Sequence, residues 1–204
     1  MTVIWLARHA QAHNPMAVLY GRLPRVGLSP AGRLQAEALA DFLAARPLAA
    51  VYSSPMLRAR QTARTIAAAQ PDGPGVHVSQ DLHEIRSSWQ GRPLAELDAV
   101  RWDFYSAPRS RSDETLHAIR DRMCHWVRQT LRRYPGAEVV GVSHGDPILV
   151  LVAELQGRLV DIASIRPSRY PPTGSVYRLE VDSFGHAQKV ELVVPKTQTT
   201  DTDR

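Results

Sequence analysis

Arg8 and His9 close a short apolar run, residues 3–7, and are followed by small and polar residues up to Asn14-Pro15. A guanidinium beside an imidazole makes an anion seat that holds a candidate nucleophile. The same setting recurs twice. Arg58 lies just after Ser53-Ser54-Pro55, and His144-Gly145 closes the apolar run 137–143. Each point reads as a strand end passing into a turn or a helix start, where free backbone N–H groups and the helix dipole favour an anion. A single Arg-His pair is also what an ordinary solvated strand edge looks like. Three cationic ends, none carrying a carboxylate in the end itself, point instead to a phosphate held between Arg8, Arg58 and His144.

Bringing three such points together requires strands that run the same way with helices between them. Residues 3–9, rich in β-branched and aromatic side chains, read as a buried strand. Ser29-Pro30 is a helix start, Ser as N-cap and Pro at the first helical position. Residues 31–45, with Gln35, Leu39, Phe42, Leu43 and many alanines, suit a helix packed closely on a sheet, and Pro47 stops it. A second strand is expected at 49–54, followed by a helix that Pro55 opens and that runs to 69. Residues 76–78 form a short strand, 82–93 are irregular around Trp89, and a helix is expected over 94–105. After an Arg- and Ser-rich break at 108–112, the longest helix spans 113–134. It carries Leu116, Ile119, Met123, Trp126, Val127 and Leu131 at helical spacing. A third strand at 137–143 leads into a helix to 156. Two late strands, 173–181 and 188–194, pair antiparallel through the turn at 182–185. The pattern is that of one α/β domain over residues 1–194 with a mostly parallel sheet. Residues 195–204 are a polar tail of disordered composition.

Composition narrows the function classes. The chain has 204 residues, 44% hydrophobic and 22% charged, the profile of a globular domain with a substantial core. No apolar stretch approaches the roughly 20 residues of a membrane span, and the opening run is too short for a signal-peptide core. A cytoplasmic protein with no membrane partner is expected. The net charge is +5, carried almost wholly by arginine. Those arginines are dispersed without aromatic platforms, which suits a small anionic substrate better than nucleic acid. Cys124 is the single cysteine; it excludes an internal disulfide and reads as packing filler. Thr130 stands where a cysteine phosphatase would need arginine, and Asp201-Thr202-Asp203 lies in the tail with no strand before it. His13 sits four residues after His9, but Asn14-Pro15 disfavours a helix that would pair them on a metal. No metal and no cofactor are expected. Oligomeric state stays open, a homodimer included.

Further motifs extend the set. Leu28-Ser29-x-x-Gly32-x-x-Gln35-Ala36 precedes Ser53-Ser54-Pro55-x-x-Arg58-Ala59-x-Gln61-Thr62-Ala63. Leu82-x-Glu84, Trp89-x-Gly91, Glu114 with Arg122, and Val142-Ser143-His144-Gly145 follow. In this order, across residues 3–157, the motifs resemble the histidine phosphatase superfamily, which includes the cofactor-dependent phosphoglycerate mutases. The resemblance implies a three-layer α/β/α sandwich and a phosphohistidine mechanism. His9 would be the nucleophile, Arg8, Arg58 and His144 would hold the phosphoryl oxygens, and Glu84 would serve as general acid and then base. Asn14, Gly21, Arg22, Trp89 and Gly145 are the candidate substrate-binding residues, with Arg86, Arg92 and Arg109 as further candidates for a specificity pocket. The chain departs from the family at Ala10, where glycine is usual, and at Ala12, where threonine is common. Asn14 sits one residue early, and the Glu84-to-Trp89 spacing is one residue short. The function implied is hydrolysis of a small phosphorylated metabolite. The alternatives are a phosphoglycerate mutase and a phosphoprotein-directed or regulatory module. Ile85-Arg86-Ser87-Ser88 follows Glu84 where mutases carry Arg-His-Tyr, and the intact set of five residues disfavours an inactive module.

Overall fold

The computed structural model describes residues 1–71, 73–106, 110–166 and 170–197. Thr2–Arg8 forms β1, in which Ile4 and Leu6 face one side of the sheet and Trp5 and Ala7 the other. Both sides are buried, which is why the run is apolar throughout rather than alternating. Ser29 caps α1 (Pro30–Ala44), its hydroxyl accepting from the Gly32 N–H at 2.9 Å. There follow β2 (Leu48–Ser53), α2 (Leu57–Ala68), β3 (Val76–Val78), a single 3-10 turn at Gln80–Leu82 and α3 (Leu94–Ala99). The chain continues through α4 (Leu116–Arg133), β4 (Glu138–Ser143), α5 (Gly145–Leu155), α6 (Ile162–Ile165), β5 (Val176–Val181) and β6 (Ala187–Val193).

The six strands make one sheet in the order β3-β2-β4-β1-β5-β6. The first four run parallel; β5 is antiparallel to β1, and β6 to β5. Leu39 and Leu43 of α1, with Ala63 and Ile66 of α2, pack on Trp5, Val51, Val140 and Val142. On the opposite face, Met123 and Trp126 of α4 and Ile148 and Val152 of α5 cover Ile4, Leu6 and Leu179. The result is three layers, with an apolar core on each face of the sheet. Burying each large aliphatic side chain contributes roughly 1.5–3 kcal/mol, so both cores clamp the strands. Gly141 in β4 has a steric cause: a Cβ there would lie 2.4 Å from the Trp126 indole.

Some boundaries differ from expectation. The helix expected over 94–105 ends at Ala99, because the backbone turns left-handed at Arg101 (φ 51°) and Trp102 (φ 59°). The Trp102 indole N–H then folds back onto Asp98 Oδ1 at 2.7 Å. The helix expected from residue 113 starts at Leu116, capped by the Thr115 side chain. The one-turn α6 is too short to show a periodicity. Arg109 and residues 198–204 of the expected tail lie outside the described residues. Among those described, no helix is long and apolar enough to cross a membrane.

The sheet order has a direct consequence for the chemistry. Strands β2, β4 and β1 are adjacent and parallel, so Ser54, His144 and His9 leave the same edge side by side.

Candidate active site

His9 extends the β1–β4 ladder by one residue, its backbone N–H donating to the Ser143 carbonyl at 3.0 Å. The ring Nδ1 lies 2.7 Å from the Ala10 carbonyl. A carbonyl only accepts, so the proton resides on Nδ1 and Nε2 keeps its lone pair. Arg58 Nε donates to that lone pair at 3.1 Å. Burial, followed by the charges of Arg58, His144 and Arg8, holds the His9 pKa well below the ordinary imidazole value. The ring is therefore neutral and nucleophilic at neutral pH.

Arg58, in the first turn of α2, is fully buried and joins the other groups. Its Nη2 donates to the Gly21 carbonyl at 2.9 Å and to Glu84 Oε2 at 3.3 Å, and stands 3.1 Å from His144 Nδ1. A guanidinium cannot accept, so His144 Nδ1 carries the lone pair and Nε2–H donates to Ser54 Oγ at 2.7 Å. The Tyr20 ring lies under the guanidinium carbon at 4.5 Å. One turn further along α2, Thr62 Oγ1 accepts from the Ala10 N–H at 3.1 Å and ties the helix to the segment after His9. His144 caps α5 and is buried, and burial and the Arg58 charge lower its pKa well below the ordinary value. The two imidazoles meet edge to face, centroids 5.0 Å apart.

Glu84 closes the group. Its Oε2 faces both Arg58 and His144 at 3.3 Å, while Oε1 accepts from the Ile85 N–H at 2.9 Å. The loop that carries it is fixed from behind. Arg22 Nε donates to the Glu84 carbonyl at 2.7 Å, and Glu114 accepts from Arg22, from Arg122 and from the Arg86 N–H. Arg8 donates to the Pro171 carbonyl at 2.6 Å and lies 5.0 Å over the Tyr170 ring. Arg8 Nε and Arg58 Nη1 are buried without a hydrogen-bond partner among the described residues. Such groups are rare unless a ligand serves them.

Arg8, His9, Glu84, Asn14 and Gly145 line one cavity of about 500 Å³. Gly21 contributes its carbonyl to Arg58. Two of the expected substrate-binding residues stand elsewhere. Arg22 is turned towards Glu114 behind the Glu84 loop, and Trp89 is buried in the α4–α5 core. Arg86 and Arg92, the further pocket candidates, bond to the Ser112 carbonyl and to Glu96. Cys124 packs against the core, half-buried. The sequence reading missed Asp146, two residues past His144, together with Tyr105, Arg166 and Tyr170. Asp146 receives Arg166 in a two-pronged contact at 2.7 and 2.9 Å, Tyr170 at 2.6 Å and Tyr105 at 2.7 Å. A carboxylate directly before the apolar run 147–153 was the available signal. Its partners, some 20 to 40 residues away, gave none.

His9, Glu84 and His144 place one potential metal-binding atom each within 4.8 Å of one another. The donor types would suit a transition metal. Arg58, however, sits among all three with its N–H groups directed at them, and a divalent cation there would meet that guanidinium at close range. An anion would not.

Fold and site together define an α/β enzyme whose buried cations and neutral imidazole, at the carboxyl edge of a parallel sheet, can receive a phosphate. The chain belongs to the histidine phosphatase superfamily (branch 1), whose family model matches residues 4–192. It is 37% identical over 163 residues to the uncharacterized protein Rv0525 of Mycobacterium tuberculosis, covering 77% of this chain and 80% of that one. It is 30% identical to phosphoserine phosphatase 1 of Hydrogenobacter thermophilus, covering 77% of each chain. The fold matches that of a mycobacterial glucosyl-3-phosphoglycerate phosphatase with a TM-score of 0.79 at 24% identity, over 95% of this chain and 99% of that one. Family and relatives make the chain a phosphomonoester hydrolase.

Proposed function

We propose that the chain hydrolyses small phosphate monoesters in two steps through a phosphohistidine at His9 Nε2. The observation that carries this reading is the fixed tautomer. The Ala10 carbonyl holds the proton on Nδ1, and Nε2 is left as a lone pair aimed into a group of cations. A bound phosphate takes over the N–H that Arg58 now donates to His9 and receives the partnerless N–H groups of Arg8 and Arg58, and the His144 ring joins them by taking up a proton at Nδ1. Nε2 attacks phosphorus as the P–O bond to the alcohol breaks, and Glu84 delivers the proton to the departing oxygen. Glu84 then takes a proton from the water that attacks the phosphohistidine, which frees phosphate and restores Nε2. The cations stabilise the charge that builds on the phosphoryl oxygens during both steps. Phosphatase names among the relatives support a small metabolite as substrate.

The two roles separate in a Glu84→Gln variant. An alkyl phosphate leaves as a basic alkoxide and needs the acid, so its turnover falls by about 10²–10⁴-fold. A nitrophenyl phosphate leaves unaided as phenolate, so His9 is still phosphorylated but then waits for a base. The expected readout is a burst of phenolate equal to the enzyme present, with an acid-labile phosphoenzyme that His9→Ala does not form. Equal slowing of both esters without a burst would remove Glu84 from the acid role. Glu114, a carboxylate behind the Glu84 loop, is already held by two arginines and a backbone N–H.

A further inference from the structure

We propose that the cavity beyond the phosphate seat receives an apolar leaving group, so that the preferred substrate is the phosphate monoester of an uncharged hydrocarbon or aryl alcohol. The proposal rests on the hydrolase reading above and adds the chemical class of the alcohol. From the seat at Arg8, His9 and Glu84 the cavity runs past Val18, Leu19, Ile85, Leu94, Trp102 and Phe104. At about 500 Å³ it has the size of a site for a drug-sized ligand, much larger than a phosphate alone requires.

Most polar groups on its wall are already used; Arg166 Nε is buried without a partner among the described residues, and Tyr20, which carries a hydroxyl, also lines the wall. Asp146 accepts four hydrogen bonds, two from Arg166 and one each from Tyr105 and Tyr170, which fills its lone-pair positions. Arg166 spends its remaining terminal N–H bonds on the Ile165 and Trp102 carbonyls. Asn14 is closed onto the Val18 backbone at 2.9 and 3.3 Å. Among the described lining residues, Arg8 and Arg166 are therefore the only arginines; the first belongs to the phosphate and the second is neutralised by Asp146. A substrate carboxylate would be desolvated there against Asp146 with no free cation among the described lining residues to meet it, whereas a hydrocarbon chain displaces water from apolar walls. The left-handed turn at Arg101 and Trp102, which ends α3 early, is what brings Trp102 and Phe104 into that wall.

The test compares primary alkyl phosphates from ethyl to octyl with phosphoserine and glycerol phosphate. All leave as primary alkoxides, so differences in kcat/KM report recognition rather than bond reactivity. The expected result is a rise of up to about fourfold per added methylene until the cavity is filled, with hexyl phosphate at least tenfold ahead of phosphoserine. A flat or falling series, or phosphoserine as the best ester, overturns the proposal. Binding of the matching alkylphosphonates, measured by calorimetry, separates the two readings. Affinity that grows with chain length while no ester is hydrolysed upholds the apolar site and rejects the hydrolase reading; hydrolysis without chain-length dependence does the reverse. Leu94→Asp and Val18→Asp, on two different segments of the wall, should each flatten the chain-length slope while circular dichroism shows the fold retained. An unchanged slope in both folded variants also counts against the proposal.

Discussion

At the scale of residues, Arg58 addresses two imidazoles and a carboxylate at once from a fully buried position, and that arrangement has a titration signature. In the unfolded chain each imidazole titrates near 6.5; in the folded chain His9 and His144 titrate well below it. Between the two values the unfolded chain binds more protons, so stability rises with pH there. The contribution is fully present above pH 6.5 and is lost as the pH falls below it, by up to about 1.4 kcal/mol per pH unit for each ring. Urea midpoints between pH 7 and pH 5 should fall accordingly, and His144→Asn should show a shallower fall. Saturating inorganic phosphate should flatten the slope, because an anion in the seat favours the protonated rings that burial disfavours. Midpoints independent of pH would show that the two rings are not held neutral. His83, pushed down to about 4 by burial and by Arg22 and Arg122, acts in the same direction from behind the Glu84 loop.

At the scale of elements, two glycines set how closely the chain approaches itself. A Cβ on Gly145, at the start of α5, would fall 2.0 Å from the Tyr170 hydroxyl, and one on Gly32 in α1 would fall 2.0 Å from the Gln11 carbonyl. Gly145→Ala must displace Tyr170, which stacks on Arg8 and bonds to Asp146. It should lower kcat/KM by at least about tenfold and destabilise by about 1–3 kcal/mol. Gly32→Ala pushes α1 away from the segment after His9, so its cost of similar size should appear mainly as a lower denaturation midpoint. Equal melting temperatures for both variants and the parent would refute these close approaches. The same elements show what was legible beforehand. Apolar runs ending in Arg8-His9 and His144-Gly145, together with Ser29-Pro30, made the strands and the first helix readable, because burial on both faces and helix capping leave local marks. The ordered motifs made the group of His9, Arg58, Glu84 and His144 readable. The cavity wall was not readable. Trp102 and Phe104 reach it through a left-handed turn in a segment whose composition suits a helix, and Asp146 finds its partners on segments far away in the chain. Arg22 and Trp89 were misplaced because residue type shows neither which side of a loop a side chain takes nor what it meets there.

At the scale of the whole molecule, the proposed reaction draws its positive charge from side chains that the fold itself holds in place. With Arg58 directed at all three potential metal-binding groups, exhaustive chelation should leave the hydrolysis rate unchanged. Excess Zn²⁺ should inhibit, by competing for His9, Glu84 and His144 against the anion. Loss of activity on chelation that Mg²⁺ or Mn²⁺ restores would show that the positive charge comes instead from a bound ion.

The strand order also bears on how the chain is made. β1 leads the other strands in the sequence, yet both its neighbours, β4 and β5, lie beyond residue 137. While a ribosome adds the intervening residues, the run Val3-Ile4-Trp5-Leu6-Ala7 has no strand to pair with, and its two exposed edges could pair with another nascent chain. His9, the proposed nucleophile, thus rides on the segment that waits longest for its place. The strand order thus exposes this architecture during synthesis, and early truncations would inherit the sticky strand without the partners that cover it.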